Sequence, residues 1–206
     1  MRTFLILMLI LSYNCNAQFS SKYVKAKIAL KSGEIIHTNA RVYEGLKTKS
    51  DAKKKSKIPA NEIDFVEFYP VDKKTEKTDT LKLCSFTNSK SKVELGFKLY
   101  ESNKIIIYGR TIPSSGGGGF NGGSFATGNL SNFNYSSSGG LDEYYCFFKE
   151  KNKTREIYYT YSLKSFKAMA IACFKFCPTL VEKIDSKEFT EENMKEIGDF
   201  YTNHCN

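Results

Sequence analysis

The stretch EYYCFFKEKNKTREIYYTYSLKSFKAMAIACF, residues 143–174, contains the change of period that decides the fold. Residues 143–149 and 155–160 are aromatic-rich runs on either side of a Lys/Asn turn, which predicts an antiparallel β-hairpin. After Ser162 the apolar residues recur every three or four positions, as on one face of an amphipathic helix. The sequence therefore predicts a helix with Ser162 as its N-cap. Its predicted buried face consists of Leu163, Phe166, Met169, Ala170, Cys173 and Phe174.

Short strand-like segments separated by polar turns precede this stretch. Residues 93–100 and 105–110 flank a polar turn and predict another hairpin. The lysine-rich residues 47–57 are predicted to form a loop. The remaining strands are predicted at 23–30, 35–43, 58–69 and 81–86.

Two further helices are predicted after the first. Pro178 opens a short one, because proline is tolerated at the first helical position, and Thr190 caps the last one, with Glu191 and Glu192 in its first turn. The predicted fold class is α+β: an antiparallel β-rich body followed by a C-terminal segment of two to three helices. The predicted organisation is a signal peptide at 1–17, a β-rich part at 18–112, an insertion at 113–140, a β-hairpin at 141–161 and a helical segment at 162–206.

The N-terminus has the layout of a secretion signal. Arg2 is followed by the apolar run 4–11 and by a polar stretch ending in Ala17, a small residue suited to the cleavage position. The run is too short to span a bilayer, which needs about 20 apolar residues. We expect cleavage after Ala17 and a periplasmic or extracellular location. A lipoprotein anchored through Cys15 is the alternative, although Tyr13 and Asn14 fit a lipobox badly.

The cysteines fit an oxidising compartment but are odd in number after the signal peptide, so at least one is unpaired. A Cys177–Cys205 bridge is predicted because it would hold the last helix against the preceding one. Cys84 and Cys146 lie in predicted strands and form the second candidate pair, which leaves Cys173 as a buried thiol. A zinc site at Cys173, Cys177, His204 and Cys205 is the alternative, but the paired C-x-x-C spacing is missing, so no metal is expected.

The net charge of +9 is concentrated in residues 47–57. This run could bind anionic envelope polysaccharide or lipid headgroups, and its ordinary interpretation is a solvated loop. Nucleic acid is not expected as a partner, because no aromatic residue interleaves with the lysines to stack on bases. The candidate binding residues are Lys53, Lys54, Lys55 and Lys57.

The insertion 113–140 is nearly all Gly, Ser, Asn and isolated aromatic residues. Residues 117–122 match G-x-G-x-x-G, but no helix follows them and no βαβ unit surrounds them, so the match reflects composition and no dinucleotide cofactor is expected. The ordinary interpretation is a flexible insertion between strands. The functional interpretation is an adhesive surface loop with contacts at Phe120, Phe125, Phe133 and Tyr135.

No catalytic constellation is recognisable. The two histidines, His37 and His204, have no serine or cysteine nucleophile placed beside them by a known motif. Asp142 and Glu143 are neighbouring carboxylates, and a structural or solvated role suits such neighbours best. No catalytic residue or cofactor is therefore assigned, and whether the chain is an enzyme stays open.

Residues 31–36 read K-S-G-E-I-I, and residues 58–66 read I-P-A-N-E-I-D-F-V. Near the C-terminus, residues 177–180 read C-P-T-L and residues 200–205 read F-Y-T-N-H-C. These segments resemble the K-x-G-D/E-x-I hairpin, the P-x-x-I-x-x-F strand and the helical tail of an uncharacterised exported Bacteroidota protein family. The resemblance covers most of the chain after the signal peptide, except residues 113–140. The resemblance implies compartment and architecture, and it implies no active site.

These features predict a non-catalytic exported protein that binds or associates with the envelope through a basic, aromatic-rich β face. The alternative is a hydrolase acting on envelope polymers through an unrecognised site. A flat basic sheet face favours the first, whereas a pocket with a perturbed carboxylate or His37 favours the second.

Overall fold

The fold is α+β, as predicted: an antiparallel β-rich body is followed by helices, and the described residues form one sheet of ten strands. The structure, a computed structural model, describes residues 23–42, 45–50, 54–69, 80–110 and 141–205. The strands are β1 (Val24–Leu30), β2 (Ile35–Val42), β3 (Leu46–Lys49), β4 (Lys55–Ile58), β5 (Ile63–Phe68), β6 (Leu81–Thr87), β7 (Val93–Glu101), β8 (Ile105–Arg110), β9 (Glu143–Phe148) and β10 (Lys153–Tyr159). The helices are the 3₁₀ turn Ala60–Glu62, α1 (Phe166–Phe174), α2 (Pro178–Asp185) and α3 (Met194–His204).

The strand order is β10-β9-β8-β7-β6-β5-β1-β2-β3-β4. The first four strands run outward from β1 to one edge, and β5 then returns to the other side of β1. From β6 to β10 each strand pairs with the one before it, so β4 and β10 are the outermost strands among those that the structure describes.

One face of the sheet, which we call the helix face, carries the apolar core. Ile28, Val66 and Leu83 face one another on β1, β5 and β6 and are fully buried. Over β7 to β10 this face is covered by α1 and α3. Phe148 of β9 contacts Phe174 of α1 and Tyr201 of α3, with ring centroids 6.1 and 5.6 Å apart. Burial of these aromatic and aliphatic side chains provides the main stabilisation of the fold.

The opposite side of the sheet, which we call the far face, is concave over β6 to β10 because the sheet curves there. Thr154 Oγ1 of β10 donates to the backbone oxygen of Thr87 at the end of β6, at 2.6 Å. Flat neighbouring strands lie about 4.8 Å apart, so strands four positions apart meet only if the sheet curves. Phe86 of β6 also stacks on Tyr108 of β8 and contacts Tyr145 of β9.

The prediction of a loop over 47–57 is wrong, because β3 and β4 lie there. Charge density suggested a loop, but the alternation of a half-buried strand is present. Leu46 is fully buried and Thr48 is buried, whereas Lys47 and Lys49 point to the far face. Lysines on the end strand of a sheet discourage pairing with other chains.

Two helix caps differ from the prediction. Ser165 is the N-cap of α1, since its side chain accepts from the amide of Ala168, and Leu163 is fully exposed before the helix begins. Asn193 is the N-cap of α3 and accepts from the amide and the hydroxyl of Thr190. In both places an earlier Ser or Thr has the same capping chemistry, so composition alone selected the wrong residue.

The predicted Cys177–Cys205 pair is present, with Cα atoms 5.3 Å apart, and it connects the start of α2 to the end of α3. The predicted Cys84–Cys146 pair is wrong, because both thiols are free. Cys84 lies on β6 and points to the far face, whereas Cys146 lies on β9 with two strands between them and faces the helices. Cys173 is a buried free thiol, as predicted.

Candidate functional site

The structure brings four lysines together on the hairpin of β3 and β4, which we call the basic hairpin. In its register Lys47 lies directly opposite Lys57, and Lys49 lies directly opposite Lys55. Arg41 of β2 faces Lys47 on the other side and extends the row. The side chains of directly facing residues share one side of a sheet, so all five cations project from the far face.

Of the lysines predicted to bind, Lys55 and Lys57 are exposed members of the basic hairpin. Lys54 precedes β4 and is exposed, and its backbone oxygen accepts from the amide of Ser50 at 3.0 Å. Lys53 and the aromatic candidates of the Gly-rich insertion, Phe120, Phe125, Phe133 and Tyr135, lie outside the described residues. Sequence reasoning missed Lys47 and Lys49 as site residues, although their alternation with Leu46 and Thr48 was a signal for them.

Directly facing like charges carry an electrostatic cost. Cβ atoms of such pairs are about 5 Å apart, and like charges at this position destabilise a sheet. The basic hairpin contains two such pairs side by side. An anion bound over them would remove the repulsion, so the arrangement suits a negatively charged ligand.

The middle of the far face is also cationic, but a carboxylate offsets it. Lys27 and Lys82 both pair with Glu67, at 3.4 and 3.7 Å, and both lie over the ring of Phe65. The hydroxyl of Tyr69 donates to Glu67, and this bond, with the two lysines, lowers the pKa of Glu67 against the effect of burial. The hairpin end carries the larger group of cations on the far face, namely Arg41, Lys47, Lys49, Lys55 and Lys57.

A charged cluster lies inside the curled part of the far face. Arg110 of β8 contacts Glu143 of β9 through Nε and Nη2, each at 2.6 Å, and its Nη1 lies 2.5 Å from Glu94 of β7. The hydroxyl of Tyr145 donates to Glu143 at 3.0 Å. Both carboxylate residues are buried, Glu94 being 8% and Glu143 7% exposed.

The contacts of this cluster suit a structural role. Burial works against the charge of Arg110, but the hydrogen bond and charge of Glu143, with the charge of Glu94, raise the pKa of Arg110. Burial and the neighbouring Glu143 raise the pKa of Tyr145. Because both carboxylates are committed to Arg110, neither is placed as a general acid.

A cleft of about 230 Å³ lies between β10 and α1. Burial, with the charge of Glu143, raises the pKa of Glu156 in its wall, which is the kind of feature that favours the hydrolase alternative. The described residues that line the cleft include no second carboxylate to act with Glu156, as a carboxylate-pair hydrolase requires. Cys173 also lines the cleft, but burial raises the pKa of its thiol to about 12, so the sulfur is protonated at neutral pH and is a poor nucleophile. His37 is exposed on β2, opposite Lys27, and is not part of this cleft.

The described residues contain no group of three or more His, Cys, Asp and Glu side chains that could hold a metal ion. Within the same residues no helix has the length and apolarity needed to cross a membrane. The disulfide also leaves neither Cys177 nor Cys205 as a thiolate for the zinc arrangement considered from the sequence.

Comparison with known proteins finds no match among protein-family models, curated proteins or solved structures. The resemblance to exported Bacteroidota proteins therefore stays a prediction.

Proposed function

We propose that this is an exported, non-catalytic protein that binds anionic polysaccharide of the cell envelope through the basic hairpin. The observation that carries the proposal is the register of the basic hairpin, which places Lys47 directly opposite Lys57 and Lys49 directly opposite Lys55. The repulsion within them is a cost that the folded protein bears and that an anionic ligand relieves.

The shape of the surface favours a polymer over a small ion. Cations on successive strands lie about 4.8 Å apart and cations two residues apart along a strand lie about 6.8 Å apart, which makes an extended array. Rows running across three strands, such as Arg41, Lys47 and Lys57, can meet charges repeated along a chain. A lipid surface would also require an exposed apolar side chain next to the lysines for stable anchoring.

Export belongs to the same proposal. Its support is the layout of residues 1–17, and the Cys177–Cys205 bridge is compatible with an oxidising compartment. Intact mass of the protein secreted by its host is expected to match a chain beginning at Gln18, free or as pyroglutamate. A mass that includes a lipid on Cys15 would instead establish the lipoprotein alternative.

The test is binding of the exported protein to an array of acidic and neutral envelope polysaccharides. The double variant Lys55→Glu with Lys57→Glu should bind the acidic polymers at least tenfold more weakly than the wild-type protein. The control is Lys31→Glu with Lys187→Glu, which changes the net charge equally at exposed positions away from the hairpin.

Three results would overturn the proposal. Equal loss in both double variants would show that only net charge matters. If the protein binds vesicles of anionic phospholipid more tightly than every polysaccharide, its ligand is a membrane surface and not a polymer. If new reducing ends appear on the polymer during incubation, the protein cleaves the polymer and the hydrolase alternative is correct.

A further inference from the structure

One exposed aromatic ring is surrounded by three cations just after the end of α1. Phe176 is 55% exposed. The ammonium groups of Lys151 and Lys175 lie 4.0 and 5.0 Å from its ring centroid, and the guanidinium carbon of Arg155 lies 5.2 Å from it. Energetically significant cation–π contacts occur about once per 70–80 residues, so three on one ring are an unusual concentration. We call Phe176 and these three cations the aromatic patch.

The end of α1 explains only part of this arrangement. Arg155 Nη1 donates to the carbonyl oxygens of Ala172 and Cys173, at 3.4 and 3.5 Å, and cations at this position suit the negative end of a helix dipole. Lys151, however, comes from the turn between β9 and β10. Within the part of the chain that the structure describes, none of the three cations forms an ion pair with a carboxylate. The helix end therefore accounts neither for Lys151 nor for the exposure of the ring.

The patch is cationic although two glutamates lie near it in the sequence. Glu156 follows Arg155 directly, so on the strand its side chain points to the opposite face of the sheet. Glu150 is exposed beside Lys151 in the turn, but Lys153 is also exposed and shares the face of Arg155. One carboxylate therefore faces four cations on this side of the hairpin.

An acidic sugar has both features that this patch can recognise. One face of a sugar ring presents C–H groups that pack on an aromatic ring, and the carboxylate of the sugar would meet the ammonium groups around Phe176. A single exposed ring matches a single sugar unit in size. Membrane anchoring would call for a larger apolar surface than one phenylalanine.

We propose that the aromatic patch is a second binding site for acidic polysaccharide, so that one protein molecule bridges two polymer chains. The inference rests on the proposed function for the class of ligand. In the sheet order seven strands separate β10 from β3, and the basic hairpin projects from the far face whereas Arg155 faces the helices. A short oligosaccharide cannot reach both sites, so the two sites should fill independently, and long chains should be cross-linked.

The probes are an alginate tetrasaccharide and long-chain alginate, a polymer of uronic acids. By calorimetry the wild-type protein should bind two tetrasaccharides per molecule, and with the long chain it should form cross-linked particles that scatter light. Phe176→Ala with Lys151→Glu should leave one bound tetrasaccharide and no light scattering. The Lys55→Glu, Lys57→Glu variant should do the same, because it keeps only the aromatic patch.

The matched control is Leu163→Ala with Lys31→Glu. It removes an exposed apolar side chain at the other end of α1 and reverses an exposed lysine in the turn between β1 and β2, so it should keep both sites. An unchanged urea midpoint is the control for folding in every variant.

The role of the ring is tested with linear polyphosphate, which has negative charge but no sugar ring. In the Lys55→Glu, Lys57→Glu background, Phe176→Ala should weaken tetrasaccharide binding by roughly tenfold and leave polyphosphate binding unchanged. Equal weakening of both probes would overturn the assignment of Phe176 to a sugar ring.

The stoichiometry separates failure of this inference from failure of the proposed function. One tetrasaccharide per wild-type molecule, lost with Lys55→Glu and Lys57→Glu and kept with Phe176→Ala and Lys151→Glu, would overturn the second site and leave the proposed function intact. The reverse pattern would keep the aromatic patch and overturn the basic hairpin. Tighter, Phe176-dependent binding to vesicles of anionic phospholipid would overturn the polysaccharide assignment of the patch in favour of a membrane surface.

Discussion

At the residue scale, Arg110 neutralises two carboxylates that burial would otherwise make costly. It connects β7, β8 and β9 on the far face through Glu94 and Glu143. Three neighbouring strands therefore depend on one guanidinium group for their polar packing, and the planar fork of arginine suits this position better than lysine would.

Arg110→Leu is expected to destabilise the protein by about 3–5 kcal/mol, because it leaves the buried Glu143 without its counter-charge and leaves Glu94 only the exposed Lys92, at 3.7 Å. The measurement is the free energy of unfolding in urea at neutral pH. Lys167→Met is the control, since its pair with Asp185 is largely exposed and should contribute at most about 1 kcal/mol. Equal losses in the two variants would contradict a structural role for the cluster.

The pKa of Glu156 gives a second prediction. Burial and the charge of Glu143 raise this pKa above its usual 4.5, so the folded state disfavours the ionised form. The stability that depends on this group is present below pH 4.5 and is lost as pH rises through the folded-state pKa. Glu156→Gln should therefore raise the unfolding midpoint at pH 7 and lose this advantage in acid, whereas Glu150→Gln in the exposed turn should do neither.

The sequence could identify Glu143 as one of two neighbouring carboxylates, but it could not identify Glu94 or Arg110 as its companions. Those contacts form only when β7, β8 and β9 pair in register. Pairing between strands is a tertiary property that the residue pattern of each separate strand does not specify.

At the element scale, the basic hairpin should trade stability against binding. Lys49→Glu converts a like-charge pair with Lys55 into an opposite-charge pair, which should stabilise the hairpin by about 0.2–1 kcal/mol. The same change should weaken binding of acidic polysaccharide. Urea unfolding and a binding titration on one preparation check both, and a variant that loses stability along with binding would contradict the like-charge account.

The disulfide should matter for the terminal helix. Cys205→Ser removes a bridge that closes a separation of 28 residues and is expected to cost about 2–4 kcal/mol. Unfolding in urea, with the free Cys84→Ser variant as control, measures the difference. Wild-type protein treated with reductant should match Cys205→Ser, and a wild type that is insensitive to reductant would contradict this role.

Regular alternation made most elements predictable. The strands at 93–101, 105–110 and 143–148 and the helix beginning at Pro178 follow directly from period and from proline chemistry. β3 and β4 were missed because lysines occupy one face of each strand and few large apolar residues occupy the other. The high lysine content therefore concealed the two-residue alternation that is typical of a strand.

At the scale of the whole molecule, the two ends of the described sheet differ in charge. β4 carries the facing lysines, whereas the cleft beside β10 is lined by Glu156 as well as by Arg155 and Lys164. The fold class followed from the order of strand and helix signals, but the return of β5 to the side of β1 did not, because strand order depends on long-range pairing. It is this return that places β4 at an edge and leaves its lysines accessible.

The most direct test of the central claim is the salt dependence of polysaccharide affinity for the exported protein. Charge-driven binding weakens as salt shortens the Debye length from about 30 Å at 0.01 M to about 8 Å at 0.15 M. The wild-type protein should bind an acidic polymer with an affinity that falls steeply over this range, and the Lys55→Glu, Lys57→Glu variant should show a tenfold weaker and flatter curve. An affinity that neither salt nor the double variant changes would contradict the account.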